Sequence, residues 1–109
     1  MTKETQNVHE LTGKEFESFV KHGLVLVDFS ADWCMPCIIM APILEEVAKK
    51  FKGKIKFGKI DADENALISQ KFRILSIPHF ILFHNGEVKE RFVGSMPEED
   101  FLERLKKHL

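Results

Sequence analysis

The chain is poor in cysteine and tyrosine: its 109 residues include two Cys, one Trp and no Tyr. It also lacks an excess of either charge, because 16 basic and 17 acidic side chains leave a net charge of −1. This balance excludes the strongly basic surface typical of nucleic-acid-binding domains. No apolar run approaches the ~18 residues that indicate a membrane span. We therefore expect a soluble, monomeric domain that binds neither nucleic acid nor membrane.

The beginning of the sequence lacks the basic start and continuous apolar segment of a secretory signal. We therefore expect a cytoplasmic protein. Residues 1–7 are predicted to form a flexible extension, and residues 8–109 a single domain, since domains typically run to about 100–150 residues. Both cysteines and the single tryptophan fall in one segment, Trp33-Cys34-Met35-Pro36-Cys37. In a reducing compartment such a pair is more often catalytic or metal-binding than structural.

Hydrophobic periodicity predicts an α/β domain. Thr12 and Glu15 have the spacing of a capping box at the start of a helix. The apolar run over 24–30 is typical of a strand buried on both faces. Asn85-Gly86 lies between two strand-like runs and indicates a hairpin. The predicted order is helix 12–20, strand 24–30, helix 34–51, strand 55–61, helix 65–72, strands 79–84 and 88–93, and a C-terminal helix whose apolar side carries Phe101, Leu102, Leu105 and Leu109. In helix 34–51 we expect Ile39, Ile43, Leu44, Val47 and Phe51 to face inward.

Cys34 and Cys37 lie three residues apart at the start of the helix that follows the buried strand. Residues i and i+3 are neighbours on a helix, so the two sulfurs can form a disulfide with little backbone movement. The partial positive charge of a helix N-terminus stabilises a thiolate at Cys34, and a thiolate is the species that attacks disulfides. The arrangement favours redox chemistry.

Two other interpretations of the Cys pair are weaker. A purely structural disulfide would close a four-residue loop and would restrict the unfolded chain little. A zinc site needs two further ligands, and the sequence has no second Cys pair. His79 and His84 lie five apart on a predicted strand and therefore face opposite sides of the sheet. We expect no metal.

The segment Val27-Asp28-Phe29-Ser30-Ala31-Asp32-Trp33-Cys34-Met35-Pro36-Cys37 resembles the active-site segment of the thioredoxin family. The resemblance extends over about residues 8–109, through Ala41-Pro42, Lys59, Asp63, Ser76-Ile77-Pro78, Phe83-His84-Asn85-Gly86 and Val93-Gly94. It implies the thioredoxin fold: a βαβ unit followed by a β-hairpin and a C-terminal helix, with a central mixed sheet flanked by helices. It also implies protein disulfide reductase activity without a cofactor, disulfide-containing substrate proteins, and a thioredoxin reductase as electron donor.

By this resemblance Cys34 is the attacking nucleophile and Cys37 the resolving thiol, and the two form a Cys34–Cys37 disulfide in the oxidised state. Ile77 precedes a proline, Pro78, that is cis in the family and faces the cysteines. The family's apolar, substrate-binding surface maps onto Trp33, Met35, Pro36, Ile77, Pro78, Val93 and Gly94.

Asp28 interrupts a strand that is otherwise apolar, and burial there would raise the pKa of its carboxyl group towards the range useful for proton transfer. We interpret Asp28 as the base that activates Cys37, with Lys59 of the adjacent strand as a modulator of its charge. The alternative for Asp28 is a purely structural core carboxylate that is paired with Lys59. The alternative for Lys59 is an ordinary exposed lysine of the strand.

Three positions depart from the family pattern. Met35 replaces a glycine, Ile38 a basic residue, and His79 a threonine. Met35 and Ile38 would either enlarge the apolar docking patch or, for Ile38, pack inward. Met35, Pro36 and His79 are candidates for tuning the redox couple. An imidazolium of His79 near Cys34 would lower the thiol pKa and make the couple more oxidising, whereas a solvent-facing His79 would have no effect.

Two alternatives to a reductase stay open. One is a disulfide oxidase or isomerase on the same fold, and the other is a non-enzymatic adaptor that binds partners through the apolar patch. The intact Cys pair, together with Asp28 and Pro78, argues against the adaptor.

Overall fold

A central five-stranded sheet with helices on both faces forms the domain in this computed structural model, which describes residues 7–109. Residues 1–6, most of the predicted extension, lie outside the described residues. Asn7 is held in place, since its backbone N–H donates to Glu45 Oε1 over 2.8 Å. The elements are β1 Val8–Glu10, α1 Gly13–Val20, β2 Leu24–Ser30, α2 Met35–Lys50, β3 Lys56–Asp61, α3 Ala66–Lys71, β4 His79–His84, β5 Glu87–Val93 and α4 Glu98–Lys106.

The strand order is β1-β3-β2-β4-β5, with β1, β3 and β2 parallel and with β4 and β5 antiparallel to their neighbours. This is the predicted mixed sheet, with β2 at its centre. The short edge strand β1 was not predicted, because three residues are too few for an alternating pattern to stand out.

Local signals in the sequence account for several element boundaries. Thr12 and Glu15 form the predicted capping box at the start of α1. Asn85 and Gly86 both have positive φ, 51° and 86°, as a two-residue hairpin turn between β4 and β5 requires. The helix α2 continues through Pro42 and ends at Lys50.

Alternation along the strands divides the core into two layers. On one face Leu26, Phe57 and Phe80 pack under α2 and α4. On the other face Val27, Ile81 and neighbouring strand residues pack under α1 and α3. Because side chains alternate, every second residue of β2 belongs to the α2 layer, and this includes Asp28.

Two predicted core positions are wrong. Ile39 is exposed, and Met40 is fully buried in its place, because the buried stripe of α2 follows the helical spacing 40, 44, 47 and 48. Leu109 lies beyond the end of α4 and is exposed. Phe101 and Leu105 of the same helix are fully buried, as predicted.

Candidate active site

The two cysteines lie where the central strand β2 passes into α2. Cys34 is the N-cap of α2, one position before the helix, and Cys37 lies in its first turn. They form a disulfide, with their Cα atoms 5.2 Å apart. The predicted pairing is therefore present in the structure.

Two backbone groups lie close to Cys34 Sγ, one from the start of α2 and one from the segment before β4. The backbone N–H of Cys37 donates to Cys34 Sγ over 3.3 Å. Cys34 Sγ also lies 3.7 Å from the carbonyl oxygen of Ile77. A sulfur that accepts a hydrogen bond at a helix N-terminus is favoured as a thiolate, because both the N–H group and the helix dipole stabilise negative charge.

The two cysteines differ in their relation to a surface groove. Each cysteine is 3% exposed, but Cys34 lines an open groove of about 880 Å³ that Cys37 does not line. The residues that line the groove are Trp33, Cys34, Met35, Pro36, Ala62, Asp63, Ala66, Ser69, Gln70, Arg73, Ile74, Leu75, Ser76 and Ile77.

The groove unites part of the predicted substrate surface. Trp33, Met35, Pro36 and Ile77 line it, and Trp33 and Met35 are 70% and 63% exposed. Trp33 is oriented by its indole N–H, which donates to Asp63 Oδ2 over 2.6 Å. Ile38 is exposed rather than packed inward, which extends the apolar surface along α2.

The other predicted surface residues lie elsewhere. The peptide bond between Ile77 and Pro78 is cis, and Pro78 is buried outside the groove. The backbone N–H of Gly94 donates to the carbonyl oxygen of Pro78 over 2.9 Å, which holds Gly94 beside Pro78. Val93 pairs with His79 and is exposed.

Sequence reasoning assigned no role to the residues on the far side of the groove. Arg73, Ile74 and Leu75 come from the connection between α3 and β4, and Leu75 is 92% exposed. The apolar pair Ile74-Leu75 just before Ser76-Ile77-Pro78 was a signal that could have indicated them, because it lies in a loop rather than in a predicted element.

Asp28 is buried on the α2 side of the sheet, 1% exposed. It is in register with Lys59 of β3 on one side and with Phe80 of β4 on the other. Burial raises the pKa of Asp28 to about 7, and the nearby charge of Lys59 opposes this shift in part. Within the described residues Asp28 Oδ1 has no hydrogen-bond partner. A carboxyl group in this state can exchange a proton near neutral pH.

Lys59 is half-buried and shares the face of the sheet that carries Asp28. It lines a small polar cleft with Glu10, Asp32 and Asp61. No ion pair within 4 Å joins Lys59 to Asp28 in the part of the chain that the structure describes. The alternative of a tightly paired core Asp is therefore not what the structure shows.

The structure contradicts one of the two alternatives offered for His79, the solvent-facing side chain. It is 5% exposed and therefore does not face solvent. It lies on the face of the sheet opposite to α2, since its neighbour Phe80 belongs to the α2 layer. Burial, together with the Arg91 guanidinium 3.2 Å away, lowers the pKa of His79. The lowered pKa favours the neutral form of the imidazole.

Comparison with known proteins agrees with this geometry. The thioredoxin family model matches residues 7–107. The chain is 43% identical over 100 residues to proteins named thioredoxin from Staphylococcus aureus strains Mu50 and MW2, over 92% of this chain and 96% of each relative. The chain belongs to the thioredoxin family. It is a thioredoxin-type protein disulfide oxidoreductase, with Cys34 and Cys37 as its redox-active pair. Family membership implies disulfide substrates and, in general terms, a reductase partner.

None of the helices between residues 7 and 109 combines the length and apolar character that crossing a membrane requires. Over the same residues, no cluster of three or more His, Cys, Asp or Glu side chains is arranged to hold a metal ion.

Proposed function

We propose that this thioredoxin family member reduces disulfides of substrate proteins, with Cys34 as the nucleophile and Cys37 as the resolving thiol. The observation that carries the assignment is that Cys34 lines the groove whereas Cys37 does not. The backbone N–H of Cys37 that donates to Cys34 Sγ supports the thiolate at the same position.

The reaction proceeds in two exchanges. The Cys34 thiolate attacks one sulfur of the substrate disulfide, the substrate S–S bond breaks, and the departing sulfur takes up a proton. A mixed disulfide now joins Cys34 to the substrate. The Cys37 thiolate then attacks Cys34 Sγ, and the second substrate sulfur leaves as a thiol. Two electrons have passed to the substrate, and Cys34–Cys37 is a disulfide.

The second exchange needs a base for the Cys37 thiol, and we assign this role to Asp28. Its carboxyl group lies on the face of the sheet that α2 covers, and its pKa of about 7 is matched to proton transfer at neutral pH. Lys59 acts on Asp28 through its charge and is a modulating residue rather than a proton acceptor.

We expect Asp28→Asn to slow release of the mixed disulfide at pH 7 by at least about tenfold. Release measured by stopped flow at an unchanged rate from pH 6 to 8 would exclude this role.

The substrate surface is proposed to comprise Trp33, Met35, Pro36 and Ile77 along the groove, flanked by Pro78, Val93 and Gly94. The Ile77 carbonyl oxygen beside Cys34 Sγ is a main-chain acceptor that an extended substrate segment can use. Met35 and Ile38 would favour apolar segments. A panel of substrates assayed with Met35→Gly and Ile38→Lys tests this, because an unchanged order of preference contradicts it.

A trapping experiment tests the division of labour between the cysteines. Cys37→Ser should accumulate a covalent complex with a disulfide-containing substrate protein, because the resolving thiol is missing. Cys34→Ser is the matched control and should trap none. Non-reducing electrophoresis followed by mass spectrometry locates the linked residue. If Cys34→Ser trapped the substrate instead, the nucleophile would be Cys37 and the resolving thiol Cys34.

The direction of electron flow is a separate proposal. We propose that a thioredoxin reductase recharges the pair in the cytoplasm, where the protein acts as a monomer. Equilibration of Cys34–Cys37 with glutathione measures the potential. A value near about −270 mV supports a reductase, whereas one near about −120 mV favours a disulfide oxidase.

A further inference from the structure

Arg73 lies in a backbone conformation that does not suit its side chain. Its φ is 55°, in the left-handed region that L-residues other than Asn and Asp rarely adopt. It follows the C-cap Phe72 of α3, and Arg73 N–H and Ile74 N–H close the helix by donating to Gln70 O and Ser69 O. Glycine is the usual residue at this position of such a motif, because it lacks the Cβ atom that makes the conformation costly.

The guanidinium of Arg73 is not engaged within the protein. Arg73 is exposed, and within the described chain no hydrogen bond or ion pair joins its side chain to another residue. Arg91, by contrast, donates to the carbonyl oxygen of Phe72 over 2.6 Å and contacts His79. The arginine side chain therefore does not stabilise the turn, and a glycine would form the same turn without the cost of a Cβ atom.

Arg73 lines the groove that leads to Cys34. Only two of the groove's lining residues are charged, Asp63 and Arg73, and Asp63 Oδ2 already accepts the indole N–H of Trp33. Around them lie apolar side chains, including Met35 and Leu75. Among the described residues the groove is thus lined mainly by apolar side chains, and Arg73, on the wall contributed by the α3–β4 connection, is its one cationic residue.

From this juxtaposition we propose that Arg73 is a specificity-determining residue that binds an acidic side chain flanking the disulfide of a substrate protein. This inference rests on the proposed function. The occupant is an extended substrate segment whose apolar residues contact Trp33 and Met35 and whose Asp or Glu meets the guanidinium. An oppositely charged pair at the edge of a docking site mainly raises the association rate and selects among partners.

The test uses three versions of one disulfide-containing substrate protein that differ at a single exposed position beside the disulfide, which is Asp, Asn or Lys. Reduction is followed with dithiothreitol as the recycling reductant, so that no reductase is needed. Wild type should show kcat/KM in the order Asp, Asn, Lys, with about a threefold to fivefold step between Asp and Asn. Raising the salt concentration should shrink that step.

Three variants isolate the role of Arg73. Arg73→Gly fits the left-handed backbone and should fold, but it should reduce the Asp and Asn substrates equally well. Arg73→Lys keeps the charge and should retain most of the preference. Lys71→Gln is the matched control, since it removes a cation two residues away that does not line the groove, and it should leave the preference unchanged.

The outcomes separate this inference from the proposed function. If Arg73→Gly keeps the Asp preference, or if Lys71→Gln loses it equally, the inference is overturned while reduction of the Asn substrate still supports the reductase. If wild type reduces none of the three substrates, both are overturned.

Discussion

The carboxyl group of Asp28 is buried, and ionising it in the folded protein costs desolvation free energy. Burial raises its pKa from 3.8 to about 7, and Lys59 only partly opposes this shift. The folded-state pKa therefore lies above the unfolded value, and the folded protein holds the proton more tightly. The contribution of Asp28 to the free energy of unfolding is therefore fully present below about pH 4, and it is lost as the pH rises through about 7.

Asp28→Asn removes this pH-dependent cost. The shift of about three pKa units corresponds to about 4 kcal/mol. We expect the oxidised variant to exceed wild type in free energy of unfolding by about 2–4 kcal/mol at pH 8, with the difference shrinking towards pH 4. Urea unfolding at pH 4, 6 and 8 measures it. A difference that does not change with pH would show that Asp28 is not a titrating buried acid.

Trp33 offers a direct signal of the redox state. It is the only tryptophan in a chain without tyrosine, and it lines the same groove as Cys34. We expect its fluorescence emission to change when Cys34–Cys37 is reduced. A Cys34→Ser, Cys37→Ser double variant, which cannot form the disulfide, is the control and should show no change with dithiothreitol. Identical spectra of oxidised and reduced wild type would contradict the expectation.

At the scale of elements, α1 begins with a reciprocal cap. Thr12 Oγ1 accepts from the backbone N–H of Glu15 over 3.3 Å, and the backbone N–H of Thr12 donates to Glu15 Oε1 over 2.8 Å. These bonds satisfy two N–H groups that the helix itself leaves unpaired. The cap lies next to Leu11, which packs in the core layer under α1.

Removing the cap should destabilise the domain measurably. We expect Thr12→Ala to lower the free energy of unfolding by about 1 kcal/mol, because the side-chain acceptor is lost. Thr12→Ser keeps the hydroxyl and should stay close to wild type. Urea unfolding of the oxidised proteins at one pH compares them. Equal stability of the Ala and Ser variants would mean that the cap contributes little.

At the scale of the whole molecule, Phe101 links the C-terminal helix to the sheet. Its ring contacts Phe80 and Phe92 edge-on, with centroids 5.0 and 5.4 Å apart. Phe80 in turn lies in register with Asp28. Phe80 is therefore an apolar neighbour of Asp28 that the ring of Phe101 packs against.

Phe101→Ala should cost about 3–5 kcal/mol in free energy of unfolding, because it leaves a cavity in a fully buried layer. Phe101→Leu fills most of that volume and should cost less. Thermal or urea unfolding ranks the three proteins. A cost below about 1 kcal/mol for Phe101→Ala would mean that α4 repacks, and would contradict a tightly packed layer.

Local patterns predicted much of this protein. The spacing of Cys34 and Cys37 after an apolar strand indicated the redox pair, Thr12 and Glu15 indicated the cap, and Asn85 preceding a glycine indicated the hairpin. Each depends on residues a few positions apart, whose geometry is set by backbone conformation alone. The family resemblance of the same segments carried the overall topology.

Tertiary structure decided what strand register and packing bring together. Asp28 lies beside Lys59 without an ion pair in the described chain, and alternation along β4 places His79 on the face of the sheet opposite to α2. Arg73 reached the wall of the groove only because the α3–β4 connection packs beside α2. Contacts between residues far apart in the chain leave no periodic trace in the sequence. The sequence alone therefore determined the chemistry of the sulfurs, and the fold decided their surroundings.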